Sequence, residues 1–531
     1  MKKNIIKPMN EEFNEYLRDE SRTIGNAQSI SFPKNEEEVI EILTDLYSKG
    51  IQITIQGGRT GLAAGAVPDG GHIMNLSKMN KVLGMDIDKD GYFYLTLQPG
   101  TILSKLRKQI ESKKFDRANW NDESMKTFTR FCEAPEQFFT PDPTEASATI
   151  GGMVACNASG ARSYLYGPTR KHITALKVVL CNGQTLSVRR GETFANRRLL
   201  KLTTDQGDDL SINLPSFNMP KTKNASGYYI KDNMDAIDLF IGSDGTLGVV
   251  TEIEVKLLPL PEAIWGVSCF FTNENNAIEF VMAIREQLKN VASIEFFDGD
   301  ALTILRNQKE QNPAFSRLPV VDEKMNTAIY VEIHCENEEK VIQELISIGG
   351  LMKEIGGDET DTWVARNDAD RSLLLFFRHA VPESVNMLID ERKKTEPIIT
   401  KLGTDMSVPD KSLKHIMQVY RHSLDEYELQ SAIWGHIGDN HLHVNILPRN
   451  EEDFKKGKEL YAKWANEVTK LGGAVSAEHG VGKLKASFLT VMYGQEHIDE
   501  MAKLKSIFDP KALLGAGNMF VPKKGDELTC A

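Results

Sequence analysis

A chain of 531 residues is too long for one hydrophobic core and should divide into two or three domains. Its 41% hydrophobic and 26% charged residues are ordinary for a globular protein, and a formal net charge of −12 argues against a nucleic-acid partner, whose phosphates recruit basic faces. No uncharged apolar stretch reaches about 18 residues, and Met1-Lys2-Lys3 leads into no apolar run, so neither a membrane span nor a secretory leader is expected.

The cytoplasm is therefore the expected compartment, with peripheral attachment at the inner face of the membrane and a homodimer both compatible with the chain. Six cysteines (Cys132, Cys156, Cys181, Cys269, Cys335 and Cys530) form no CxxC pair, which argues against a cysteine-held iron–sulfur cluster and a disulfide framework.

In chain order, residues 1–30 are polar and read as helical. Asn35 is placed to cap a helix with acids in its first turn and apolar residues at Val39, Ile40, Ile42, Leu43 and Leu46, ending at Gly50. Residues 51–56 alternate as a strand and run into Gly57-Gly58-Arg59-Thr60-Gly61-Leu62. Such a turn brings bare N–H groups near an anion, as pyrophosphate is held, although glycines alone fit a tight structural turn equally well. A second loop holds Pro141, Asp142, Thr149, Gly151, Gly152, Asn157, Ser159 and Gly160, and a third holds Gly245, Gly248, Val249 and Val250. Three small-residue loops between strands suggest one large ligand along the backbone, and none has the GxGxxG of a nicotinamide site.

Residues 112–135 and 187–223 are long, charged and without a chemical motif, and read as surface excursions. Beyond Pro261, strands at 267–271, 293–297 and 327–333 interleave with helices at 273–291 and 338–348, for which Asn273 and Asn337 are N-caps. Arg378 follows four apolar residues, as a snorkelling surface cation does. Residues 455–471 and 496–508 have amphipathic helical spacing.

Residues 434–445 concentrate three of the eleven histidines. His441 and His443 flank Leu442 in a period-two strand and share a face, while His436 lies across the turn Gly438-Asp439-Asn440. With Glu478-His479 further on, neutral imidazoles and a carboxylate make a ligand set for zinc or another borderline divalent metal.

Read in order, GGRTGL, PDPTEASATIGG, NASGA and GSDGTLGVVTE resemble the FAD-binding domain of the vanillyl-alcohol-oxidase/PCMH flavoprotein superfamily. Together with GHIGDNHLHVN and AEHGVGK, the resemblance narrows to the D-lactate, glycolate and D-2-hydroxyglutarate dehydrogenase branch, over residues 25–260 and 370–520. It implies an α+β fold: a two-part PCMH-type FAD-binding domain (1–260), an α+β substrate or cap domain carrying the histidine strand (261–455), and a C-terminal helical segment returning to the flavin (456–531).

The resemblance further implies that the Gly57–Leu62 loop wraps the FAD pyrophosphate while the other two loops line the isoalloxazine and adenine ends. Covalently flavinylated relatives often carry a histidine after the Gly-Gly pair; Arg59 stands there, so FAD is expected to be noncovalent. By the same carry-over, His436, His443 and Glu478 hold a metal, zinc first, His479 is the general base, and Arg378 grips the carboxylate of a small 2-hydroxy acid. His441 stands where many relatives have asparagine, and a second-shell group, an extra ligand and a plain strand residue all remain open. Electrons would pass to a quinone, an electron-transferring flavoprotein or a similar acceptor. The competing readings are a non-redox flavoenzyme like alkylglycerone-phosphate synthase, which lacks the GHIGDNHLH segment, and a flavin-free zinc enzyme.

Overall fold

The computed structural model describes residues 5–520; the readings made for residues 1–4, Cys530 and the last residues of the C-terminal segment lie outside them. Two sheets build the first part. One runs Ile6–Pro8, Ser29–Ser31, His72–Asn75, Ile53–Gln56, parallel except in its first pair. The other is antiparallel and runs Val82–Ile87, Phe93–Leu97, Val249–Lys256, Ile173–Val179, Thr185–Arg189. The helix Glu36–Ser48 joins them. Asn35 caps it by accepting from Glu38 N at 2.9 Å, and its buried face packs on Ile53 and Met74 of one sheet and Val179 and Val249 of the other.

Residues 5–30 are not the helix their polarity suggested. Ile6–Pro8 pairs with Ser29–Ser31, and between them lies the 3-10 turn Glu11–Leu17, whose Phe13 is buried beside Ile30 and Ile73. Pairing onto an existing sheet satisfies backbone groups that a short isolated helix would form only marginally.

Neither of the two long stretches is a mere surface excursion. Residues 112–135 contain the helix Asp122–Glu133, whose Phe128 and Phe131, with Trp120, join the main core, and Trp120 Nε1–H donates to Val82 O at 3.0 Å. Residues 187–223 include the hairpin Leu199–Thr203/Asp209–Asn213, with Leu200, Leu202 and Ile212 in the same core. Their charge is real but confined to the outer side of amphipathic elements.

The second part is an eight-stranded antiparallel sheet: Thr362–Ala365, Ala263–Phe271, Thr327–Cys335, Val291–Phe297, Ser431–His436, His441–Ile446, Leu402–Gly403, with Met406–Ser407 also pairing His441–Ile446. The expected helix at 273–291 is shorter, Glu274–Gln287, because Val291 already belongs to a buried strand. Period-two alternation divides the sheet. Val331, Ile333, Ile294, Ile433, Leu442 and Val444 face helices including Glu274–Gln287 and Leu413–Glu426. The opposite face takes Phe297, Ala328 and Tyr330 against the 25-residue helix Asp368–Arg392, and beyond them carries charge.

The chain end divides between the two parts. Helix Glu451–Lys470 spans position 455/456 and buries Leu460, Trp464 and Val468 in the second core, whereas helix Ala486–Phe508, broken by a positive φ at Gly494, sends Leu489, Met501, Leu504 and Phe508 into the first. Among the described residues no helix is long and apolar enough to cross a membrane.

If the helix at 122–133 is core, Phe131→Ala should lower unfolding stability by about 3–5 kcal/mol, the range for deleting a buried phenyl ring. A denaturant titration giving less than about 0.5 kcal/mol, the surface range, would return the segment to the periphery.

Candidate active site

The histidines sit on a hairpin. Strand Ser431–His436 turns at Ile437–Asp439 and returns as His441–Ile446, with His436 opposite His441 and Trp434 opposite His443, so the three imidazoles share one face. The turn is fixed from outside: Asn440 takes φ 52°, accepts from Arg285 Nη1 at 2.6 Å and donates from Nδ2 to Asp410 Oδ1 at 2.7 Å.

Each ring is oriented by its far nitrogen. His436 Nδ1–H donates to Glu295 Oε1 at 2.6 Å, and His443 Nδ1–H to Thr404 O at 3.0 Å. His441 Nε2 lies 2.9 Å from Asp405 Oδ1, poorly aligned for a hydrogen bond, and its Nδ1 is buried with no hydrogen-bond partner. The remaining nitrogens and the Glu478 carboxylate converge, with ligand atoms of His436, His441, His443 and Glu478 all within 4.8 Å of one another.

Glu478 divides its two oxygens. Oε1 is 3.3 Å from His436 Nε2 and 3.5 Å from both His443 Nε2 and His479 Nε2; Oε2 is 2.8 Å from Lys223 Nζ and 3.4 Å from Ser159 Oγ. Asp405, 1% exposed, holds this loop: it accepts from the backbone N–H of Glu478 and His479, both at 3.1 Å, lies 2.7 Å from Ser476 Oγ and pairs with Lys485. His479 stacks on His443 at 5.5 Å and 6°, and its side chain keeps 25% exposure at the cleft.

Charges follow from these partners. Burial raises the carboxyls of Glu478 and Asp405, yet their surroundings outweigh it and hold both well below the usual range, through Lys223 and His436 for Glu478 and through His479, Lys485 and His441 for Asp405. Glu295 comes down to about 2 because Arg378, with Nε 3.0 Å from Oε2, and His436 overcome its burial. Burial drops His441 to about 3 and also lowers His443, so both are neutral and can act as ligands. Burial lowers His436 as well, but Glu295 and Glu478 reverse this and lift it to about 9. Lys223 is pulled down by burial and carried above its ordinary value by Glu478 and Asp439.

Neutral His441 and His443, His436 with its far nitrogen tied to Glu295, an orphaned buried Nδ1 and a carboxylate are the donor set and outer-shell support of a divalent metal site. The residues fit the metal.

A cleft opens beside this cluster. Gly57, Gly58, Arg59, Thr60, Gly61, Leu62, Thr149, Gly151, Gly152, Ser159, Gly245, Gly248 and Val250 line it, and Glu478 and His479 close one end. Pro141, Asp142, Asn157, Gly160 and Val249 stand behind the wall: Pro141 O accepts from Arg107 Nη2 at 2.7 Å, Asn157 Oδ1 from Arg170 N at 3.0 Å, and Val249 is core. Both readings of the glycines hold, at different positions. A Cβ at Gly160 would lie 1.6 Å from Asp142 O, so that glycine serves packing, whereas at Gly61 the nearest atom is Asp19 Oδ2 at 4.0 Å, open space for a ligand. A backbone-walled cleft of this kind fits FAD.

Four residues of the centre carried no assigned role in the sequence reading. Glu295 had a signal, an acid among apolar strand residues 291–297; Asp405 belongs to no motif singled out above; His441 was left open; Lys223 ends a stretch with no motif.

Fold and site define a flavin-linked oxidoreductase, and the comparisons agree. The family described as FAD binding domain matches residues 27–119 and 123–189, and FAD linked oxidases, C-terminal domain, matches residues 260–519. The chain belongs to the FAD-linked oxidases with a PCMH-type FAD-binding domain. Within them it is an FAD-linked oxidoreductase of the D-lactate, glycolate and D-2-hydroxyglutarate dehydrogenase branch.

Among similar proteins are glycolate oxidase subunit GlcD of Bacillus subtilis (27% identity, 92% of this chain and 88% of that one), D-lactate dehydrogenase of Anaerostipes hadrus (26%, 96% and 93%) and D-2-hydroxyglutarate dehydrogenase of Stutzerimonas stutzeri (25%, 96% and 94%). A solved alkyldihydroxyacetonephosphate synthase superposes with a TM-score of 0.62 at 15% identity, over 97% of this chain and 82% of that one, which is a likeness of fold.

His436 gives a pH signature. Its folded value, about 9, exceeds its ordinary 6.5, so in metal-free protein it stabilises the fold in full below pH 6.5 and loses that contribution as pH rises to 9. The loss should approach roughly 3 kcal/mol. Metal should abolish this slope, and its binding below pH 9 should release a proton. Denaturant titrations of metal-free wild type and His436→Gln with identical pH slopes would show that His436 is not the group.

Proposed function

We propose that the protein oxidises a small D-2-hydroxy acid, D-lactate first, to the 2-oxo acid. When bound, FAD supplies the hydride acceptor, and a divalent ion, zinc first, held by His436, His443 and Glu478 with His441 beside them, acidifies the substrate hydroxyl. The observation that carries this reading is the convergence of three oriented imidazoles and one carboxylate at the end of the cleft.

His479 is placed to take the hydroxyl proton. It keeps an edge open to the cleft, while its backbone is fastened to Asp405 and its ring lies flat on His443. Arg378 is the anchor for the substrate carboxylate; Glu295 orients it through Nε, and the planar guanidinium suits bidentate pairing.

The likeness to alkyldihydroxyacetonephosphate synthase is one of fold, and the match to an FAD binding domain removes the ground for a flavin-free zinc enzyme. Noncovalent FAD, a cytoplasmic location with peripheral attachment to the membrane, a homodimer, and a quinone or electron-transferring flavoprotein as acceptor complete the proposal. Acid precipitation should release the yellow colour into the supernatant; colour left on the polypeptide would reject noncovalent binding.

Anaerobic mixing with D-lactate and other 2-hydroxy acids should bleach the flavin, with the D enantiomers preferred. His443→Ala should lose metal and bleaching yet keep FAD, because the glycine loops lie elsewhere. His479→Asn should keep metal and FAD and bleach about 10²–10⁴-fold more slowly. If full chelation leaves the bleaching rate unchanged, the metal has no part in the reaction; if no 2-hydroxy acid bleaches the loaded protein, the substrate class is wrong.

A further inference from the structure

We propose that Lys223 is a positioning residue that sets which divalent ion the site prefers, by occupying the carboxylate oxygen of Glu478 that does not face His436 and His443. The inference rests on the metal reading above.

Oε1 of Glu478 faces His436 and His443, while Oε2 faces Lys223 Nζ at 2.8 Å and Ser159 Oγ at 3.4 Å, with His441 Nδ1 further off at 3.8 Å. An ammonium has three donors, and here it meets three oxygens: Glu478 Oε2, Gly160 O at 3.3 Å and Asp439 Oδ2 at 3.7 Å. Asp439 is fixed in turn by Ser163 Oγ at 3.3 Å. The Lys223 side chain is only 7% exposed.

Its backbone is equally confined. Ser407 Oγ donates to Lys223 O at 2.6 Å, Thr222 Oγ1 donates to Val408 O at 3.1 Å, and Ala225 N donates to Ser476 O at 2.8 Å. These bonds stitch the segment to the sheet on one side and to the Glu478 loop on the other, which fixes the backbone from which the buried ammonium reaches Glu478.

Glu478 therefore presents one oxygen. Three imidazole nitrogens with a single carboxylate oxygen suit zinc, which favours few donors and nitrogen among them. Freeing Oε2 would let the carboxylate use both arms, adding an oxygen donor, and oxygen-rich, higher-coordinate sets suit manganese. Removing a positive charge also strengthens attraction for every dication alike. That effect cancels in the ratio of two affinities, whereas a change in donor number does not.

The test uses full-length, FAD-loaded protein stripped by chelation, then dialysed against buffered mixtures of zinc and manganese and assayed by elemental analysis. Lys223→Met should move the preference toward manganese by on the order of 10-fold, the scale of outer-shell substitutions. Lys223→Arg, which keeps the cation on Oε2, should restore the wild-type ratio. Where Lys223→Met fails to retain FAD, Lys223→Leu, which likewise leaves Oε2 without this donor, carries the same expectation. An unchanged ratio in the folded, flavin-loaded variant overturns the proposal. Wild-type protein that takes up neither ion overturns the metal reading itself, a result visible before any variant is made.

Discussion

Burying ions and polar rings is costly unless each one meets a partner, and one face of the eight-stranded sheet buries Glu332, His334, Glu295, His436 and His441. The sheet cannot satisfy this face alone. Partners come from the FAD-binding part: Arg162 Nε donates to Glu332 Oε1 at 2.6 Å, Tyr166 OH lies 2.7 Å from His334 Nδ1, and Lys223 meets Glu478. The active centre forms at the seam because that is where the charges must be matched, and separating the two parts would strand them.

Within the seam, charge alternates through shared carboxylates. Arg378, Glu295, His436, Glu478, Lys223 and Asp439 follow one another at contacts between 2.6 and 3.7 Å. Asp405 adds a second carboxylate hub, joining His441, Lys485 and the loop that carries Glu478 and His479. Such a network holds the rotamers of the site's side chains in place.

The fold leaves the chemistry open. A frame similar to that of alkyldihydroxyacetonephosphate synthase here carries a cluster of three histidines and a glutamate, so function is read from the side chains at the seam.

Much of the site was legible in the sequence where chemistry is local. Period-two spacing put His441 and His443 on one face, the turn brought His436 beside them, and the glycine loops marked the walls of the cleft. Asn35, Asn273 and Asn337 cap helices as their positions suggested, because capping is decided within four residues. Tertiary structure alone decided the rest. Whether residues 5–30 formed a helix or an added strand depended on a sheet edge at His72–Asn75, and Phe131 became core only once Val82–Ile87 lay beneath it. Lys223 is 255 positions from Glu478 in the chain and shares no motif with it. A buried charge chooses its partner by proximity and desolvation, which sequence spacing does not encode, so that pairing appears only when the two parts close on each other.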